Sequence, residues 1–222
     1  MSKIISIEGN IGSGKSTIIS IIHKLLEKRD DIEFLKEPVD KWINTCDEDG
    51  NNILDVFYKN QKRWSYSFQM NAYITKLQQL EMACQKESNK LVVCERSVET
   101  DRHCFAKQLA EDGLINKMEW QLYDNWYYWL KEKTNCKLDG IIYLKCSPEV
   151  SYERINIRKR KEENNIPMDY LTKIHNKHNE WLSNPDVPLL VLDVNNDFEN
   201  NAANKKIVVN KIYGFLQKIM SV

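Results

Sequence analysis

No charge of one sign predominates in this chain of 222 residues: 32 lysines and arginines balance 32 aspartates and glutamates. A chain so balanced projects no overall field toward a polyanion, which argues against a nucleic-acid polymer or a membrane surface as partner. Long hydrophobic runs are missing too, since nothing approaches the ~18 consecutive apolar residues of a membrane span. Strand-forming residues begin within three positions of Met1 and leave no room for a signal or transit peptide, so a cytoplasmic protein is expected. The six cysteines include no C-x-x-C pair and are expected as free thiols, several of them within apolar runs as small hydrophobes. Histidines number only four. His175 and His178 stand at i, i+3, but no cysteine or carboxylate at metal-ligand spacing completes a zinc site. Repeats and low-complexity segments are absent. The length fits a single domain over residues 1–222, large enough to bury a core without staples.

Glycine is sparse as well, with seven residues. Three of them crowd into Gly9-Asn10-Ile11-Gly12-Ser13-Gly14-Lys15-Ser16-Thr17, which fits G-x-x-x-x-G-K-[ST]. In that pattern the glycines let the backbone fold around an anion with its N–H groups pointing inward. Lys15 then reaches the outer phosphates, the Ser16 hydroxyl ligates Mg²⁺, and a helix opening at Lys15 adds its positive dipole end. A Gly/Ser turn that merely precedes a helix is the alternative. It loses on context, because the motif joins a β-rich run (Ile4, Ile5, Ile7) to an amphipathic one (Ile18, Ile19, Ile22, Leu25, Leu26). A nucleoside triphosphate is the expected partner.

Short β-branched runs at residues 4–8, 33–36, 91–95, 140–146 and 188–194 alternate with longer helical patterns. Such alternation predicts a five-stranded parallel sheet flanked by helices, with chemistry just beyond the strand ends. Glu8, Glu37, Glu95-Arg96 and Asp193 occupy those positions. The segment 61–86 reads as one helix whose Gln69, Ala72, Tyr73 and Lys76 share a face. Gln69 is there either a solvated neighbour of the core or an amide aimed at a planar base.

With these residues in view, the chain resembles the deoxynucleoside kinases of the deoxycytidine/deoxyguanosine kinase type. The resemblance is carried by the phosphate loop, Glu37-Pro38-Val39 with Trp42, Tyr58, Arg63-Trp64-Ser65, Phe68-Gln69, Glu95-Arg96-Ser97-Val98 with Asp101-Arg102, and Phe105-Ala106. Arg154, Arg158, Arg160, Glu162-Glu163, Tyr170-Leu171 and Leu192 through Phe198 extend it. It implies the P-loop nucleoside triphosphate hydrolase/nucleoside kinase fold with a short arginine-rich lid, and transfer of the γ-phosphoryl group of ATP to a deoxynucleoside 5′-hydroxyl. Under it Glu37 is the general base, Arg96 sits beside it, and Glu95 helps Ser16 hold Mg²⁺. Arg154, Arg158 and Arg160 form the lid, and Asp197-Phe198 belongs to the adenine-side loop. Trp42, Tyr58, Phe68, Gln69, Lys76, Asp101, Phe105 and Glu163 hold the deoxynucleoside, Glu163 and Tyr58 at the sugar 3′-hydroxyl.

Asp101, an acceptor when ionised, suits an exocyclic amine and disfavours thymine, which offers an oxygen there. Lys76 departs from the family's arginine and replaces a planar fork with a point charge, so deoxyadenosine, deoxyguanosine and deoxycytidine stay open. Two rivals share the phosphate loop. A nucleoside monophosphate kinase differs in its acceptor; a GTP-binding switch would use Asn116-Lys117-Met118-Glu119 and Asp47-Glu48-Asp49-Gly50, neither of which follows an apolar strand. The resemblance also implies a homodimer packed through segments 61–86 and 116–133.

Overall fold

The computed structural model describes residues 2–86, 90–134, 136–158, 160 and 166–221. Its sheet contains β1 (Lys3–Glu8), β2 (Ile32–Leu35), β3 (Leu91–Glu95), β4 (Gly140–Lys145) and β5 (Leu189–Asp193), all parallel in the order β2-β3-β1-β4-β5. Each strand lies within one residue of its expected bounds. β1 is central: its neighbours on both sides are strands, Ile4, Ile5 and Ile7 fill its two covered faces, and Ser6 and Glu8 are buried with them.

Strand alternation assigns the two faces. Ile5 and Ile7 point with Val93, Ile142 and Leu144 into a core shared with Ile18, Ile19 and Ile22 of α1 (Lys15–Leu25) and Val208, Ile212 and Leu216 of α10 (Ala202–Met220). Ile4, Val92 and Cys94 point the other way, against Leu80 and Ala83 of α4 (Gln61–Cys84). A further core contains no strand residue. Trp42 of α2 (Val39–Ile43), Phe57 of α3 (Ile53–Lys59), Phe68 and Tyr73 of α4, and Tyr123 and Tyr127 of α7 (Lys117–Thr134) pack together there.

After β3 the chain enters α5 (Val98–Thr100), continues through a π-helical stretch (Asp101–Ala106) and ends in α6 (Lys107–Glu111). A π-helical turn is uncommon and concentrates at functional sites. α8 (Pro148–Arg158) and α9 (Met168–Trp181) complete the layers. The strand order reverses direction around β1, which opens a crevice at the strands' carboxyl ends. No helix among the described residues is long and apolar enough to cross a membrane.

Candidate active site

A cleft of about 910 Å³ runs along those carboxyl ends, from the phosphate loop to the aromatic helices. At one end, Gly14 caps α1 in the left-handed region at φ 93°, and the first turn carries neither a side-chain cap nor an acidic residue. The helix's first N–H groups and its positive dipole end are thereby left for an anion. Close approach also demands glycine here. A Cβ on Gly12 would lie 2.4 Å from the Ser151 carbonyl oxygen, and one on Gly14 would lie 2.6 Å from the Phe198 ring.

Lys15 is folded inward, its Nζ donating to the Gly9 and Asn10 carbonyls at 3.0 and 2.7 Å. Burial, reinforced by Arg96, pushes its pKa down to about 7 against the pull of Glu95, Glu37 and Glu8. Ser16 Oγ donates to Glu95 Oε1 at 2.6 Å, so a hydroxyl and a carboxylate oxygen meet at the mouth of the loop. Asn10 and Ser13 are buried, and Thr17 lines the cleft beside Ser16.

The opposite end is built from side chains. Arg96 Nη1 donates to Glu37 Oε2 at 2.6 Å, and Lys76 Nζ bridges Glu37 Oε1 at 3.0 Å and Asp101 Oδ1 at 2.7 Å. Four charges thus form a chain, Arg96–Glu37–Lys76–Asp101, with little contact with water. Burial raises a carboxyl's pKa, but at Glu37 the three cations Arg96, Lys76 and Lys15 outweigh it and hold it at about 2. At Asp101 burial wins over Lys76, with Glu37 adding to the rise, and the pKa is pushed up to about 6. Arg96 occupies φ 57°, a left-handed conformation that costs a non-glycine residue roughly 1–3 kcal/mol and is held only where surroundings enforce it.

Most of the expected residues meet in this one cleft. Gln69 is 2% exposed and lines it, which removes the solvated alternative. Gln69 Oε1 and Asp101 Oδ2 are both buried and have no hydrogen-bond partner among the described residues. Phe105 lies 5.1 Å from the Arg96 guanidinium, and Tyr58 lines the same wall. Trp42 is fixed by its Nε1 bond to Thr75 and sets its ring edge-on to Phe68. Phe68 in turn stacks on Phe57 at 4.5 Å, so it is core as well as wall.

Arg154 faces the phosphate loop but is anchored, donating to the Val194 carbonyl at 2.7 Å with its guanidinium 5.6 Å from the Phe198 ring. Arg158 and Arg160 line the cleft, as does Asp197, whose Oδ1 accepts from Glu199 and Asn200 N–H. Glu163 lies outside the described residues.

Two residues of the site carried no assignment from sequence. Tyr170 lines the cleft from α9, and Glu8, fully buried, accepts from the turn after β3. The clue to Glu8 was a carboxylate ending the strand that leads directly into the phosphate loop. The segments that superficially fit a GTP switch have local explanations. Asn116 and Glu119 form a capping box on α7, with Asn116 Oδ1 accepting from Met118 and Glu119 N–H and Glu119 Oε2 from Asn116 N–H. Asp47 closes a turn by accepting from Asp49 and Asn51 N–H. His178 is buried against Tyr143, its Nδ1 2.8 Å from the Ile174 carbonyl, and burial pushes its pKa down to about 3.

The sequence matches the family described as deoxynucleoside kinase over residues 5–217. Among curated proteins it is 37% identical to a probable deoxycytidine kinase of fowlpox virus, over 98% of this chain and 89% of that protein. It is 37% identical to the deoxycytidine kinase of Homo sapiens, over 98% and 92%. It is 35% identical to the mitochondrial deoxyguanosine kinase of Xenopus laevis, over 96% and 89%.

Proposed function

The chain belongs to the deoxynucleoside kinase family and is an ATP-dependent phosphotransferase; we propose that its preferred acceptors carry an exocyclic amine beside a ring-nitrogen acceptor, deoxycytidine first and deoxyadenosine second. One observation carries this reading: Gln69 Oε1 and Asp101 Oδ2 are buried, unpartnered acceptors in the same cleft. An amine supplies two N–H donors to such a pair, and the Gln69 NH₂ can return a hydrogen bond to the ring nitrogen. Thymine would set an oxygen against the same acceptors and leave buried groups unpaired, at about 1–3 kcal/mol each. Guanine's O6 meets the same obstacle unless Gln69 turns its amide. Cytosine leads because the curated relatives reported above include deoxycytidine kinases.

In this reading the phosphate loop holds ATP and Glu37 receives the proton of the 5′-hydroxyl. Its low pKa is compatible with that role, because the hydroxyl becomes acidic only as the new P–O bond forms in a loose transition state. Arg96 steadies Glu37, while Lys15 and the lid arginines Arg154, Arg158 and Arg160 balance charge on the transferring phosphoryl. Mg²⁺ suits the Ser16–Glu95 pair, since hard oxygens are its ligands and it takes only one or two from protein. Phe105 and Phe68 flank the base, Tyr58 the sugar, and Asp197 and Phe198 the adenine of ATP. A homodimer would cover the exposed Trp126 and Trp129 of α7.

The test is a panel of four deoxynucleosides and their monophosphates with Mg-ATP. Deoxycytidine and deoxyadenosine should lead in kcat/KM and thymidine should be last. A leading thymidine would sink the base assignment.

A further inference from the structure

Glu8 is a carboxylate with no exposure to solvent, yet among the described residues its recorded hydrogen bonds are to uncharged groups. Oε1 accepts from Ser97 N–H at 2.9 Å and from Ser97 Oγ at 2.6 Å, and Oε2 accepts from Thr100 Oγ1. All three donors belong to the turn and short helix that follow Arg96. A buried carboxylate is expensive unless its oxygens are satisfied, and here one turn satisfies both.

That turn is where the backbone is strained. Arg96 is the one non-glycine residue at positive φ among the described residues, at 57°. Its N–H donates to the Ile7 carbonyl at 3.1 Å, so it is clamped from the same stretch of β1 on either side. The next residue after Glu8 is Gly9, where the phosphate loop begins. Glu8 therefore joins the first residue of the loop to the element that presents Arg96 to Glu37 at 2.6 Å.

We propose that Glu8 is a positioning residue for phosphoryl transfer, acting through Ser97 and Thr100 to hold Arg96 in its left-handed conformation against Glu37. Glu8 is not among the residues that line the cleft, and its negative charge also favours the charged forms of Lys15 and Arg96. The inference rests on the reading of Glu37 and Arg96 given above. Removing the carboxylate should slow the transfer step without weakening either substrate, because no binding contact is lost.

The experiment compares Glu8→Gln and Thr100→Val, separately and with Arg96→Ala, in steady-state kinetics with ATP and deoxycytidine. Glu8→Gln should lower kcat about 10–100-fold with both KM values within about threefold, and Thr100→Val should lower it about 3–10-fold. In the Arg96→Ala background either change should cost less than about twofold, since residues acting through one another are non-additive. Full additivity would overturn the proposal, as would a normal kcat per folded enzyme with only a lower Tm. Arg96→Ala alone examines the parent reading: an unchanged kcat there removes the role of Arg96, whatever Glu8 does.

Discussion

The glycine loop after β1 and the charged cluster around Glu37 sit in one cleft and are made of different material. The loop is largely backbone: residues 9–17 are contiguous, Gly12 and Gly14 at positive φ set the direction of its N–H groups, and Lys15 and Ser16 add the side chains. The charged cluster is side chain: Glu37, Lys76, Arg96 and Asp101 come from separate elements and are held by mutual charge. Backbone dipoles bind any polyphosphate with little cost of reorganisation. A buried chain of ion pairs is costly to assemble, and breaking one member leaves another charge exposed to a poor dielectric. The difference teaches how each end responds to substitution: a Cβ on Gly12 collides with backbone, whereas in the charged cluster a change that keeps the charge leaves its partners satisfied and one that removes it does not.

Substitutions can break or sharpen that contrast. The largest effect is expected from Glu37→Gln, which should cut kcat about 10²–10⁴-fold while the KM for ATP stays nearly constant. Near-normal turnover in a rapid-quench assay would remove Glu37 as the base. Gly12→Ala should come next. Its Cβ meets the Ser151 oxygen at 2.4 Å and φ is 78°, so roughly 3 kcal/mol of stability should be lost, a fall in Tm of about 6–12 °C by calorimetry. An unaltered Tm would mean that the loop is looser than its glycines imply.

Asp101→Asn should narrow the deoxycytidine-to-thymidine ratio of kcat/KM about 10–100-fold, because the amide can donate to a thymine oxygen. The same residue gives a pH test. With a pKa near 6, Asp101 gains a proton, and hence a donor, as pH falls from 7.5 to 5.5. Discrimination against thymidine should therefore weaken on acidification in the parent and stay flat in Asp101→Asn; a flat profile in both would contradict the pocket electrostatics. The linkage sign differs between the two carboxylates. Asp101, raised in the folded protein, loses stability as pH rises from about 4 to 6, whereas Glu37, held at about 2, loses it as pH falls below about 4.5. The smallest effect is expected from Lys76→Arg, which keeps the charge but changes its shape. A shift of about two- to fivefold among deoxycytidine, deoxyadenosine and deoxyguanosine should appear in the substrate panel.

Much of the fold was legible because its signals are local. β-branched runs separated by amphipathic ones announced the parallel sheet, and the strand ends moved by one residue at most. Gln69 was ambiguous for a physical reason: a polar residue on a mixed helix face looks the same from sequence whether it meets solvent or a cleft. Tyr170 belonged to the resemblance but was given no role, because an aromatic on an amphipathic helix is most often core. The Asn116 and Asp47 segments show the converse, where short motifs match a catalytic pattern yet are spent on a helix cap and a turn.

By itself the sequence determined the phosphate loop and the alternating layers, since both depend on residues adjacent in the chain and on the fixed periods of strand and helix. Its dense resemblance to deoxynucleoside kinases also gave the family. Only the tertiary structure decided that Lys76 is shared between Glu37 and Asp101, that Arg96 is strained, and that Glu8 clasps the turn behind it. Glu37 and Arg96 are 59 residues apart, and Glu8 and Ser97 are 89. Contacts of that span depend on how the strands order themselves in the sheet, and no local period in the chain encodes them.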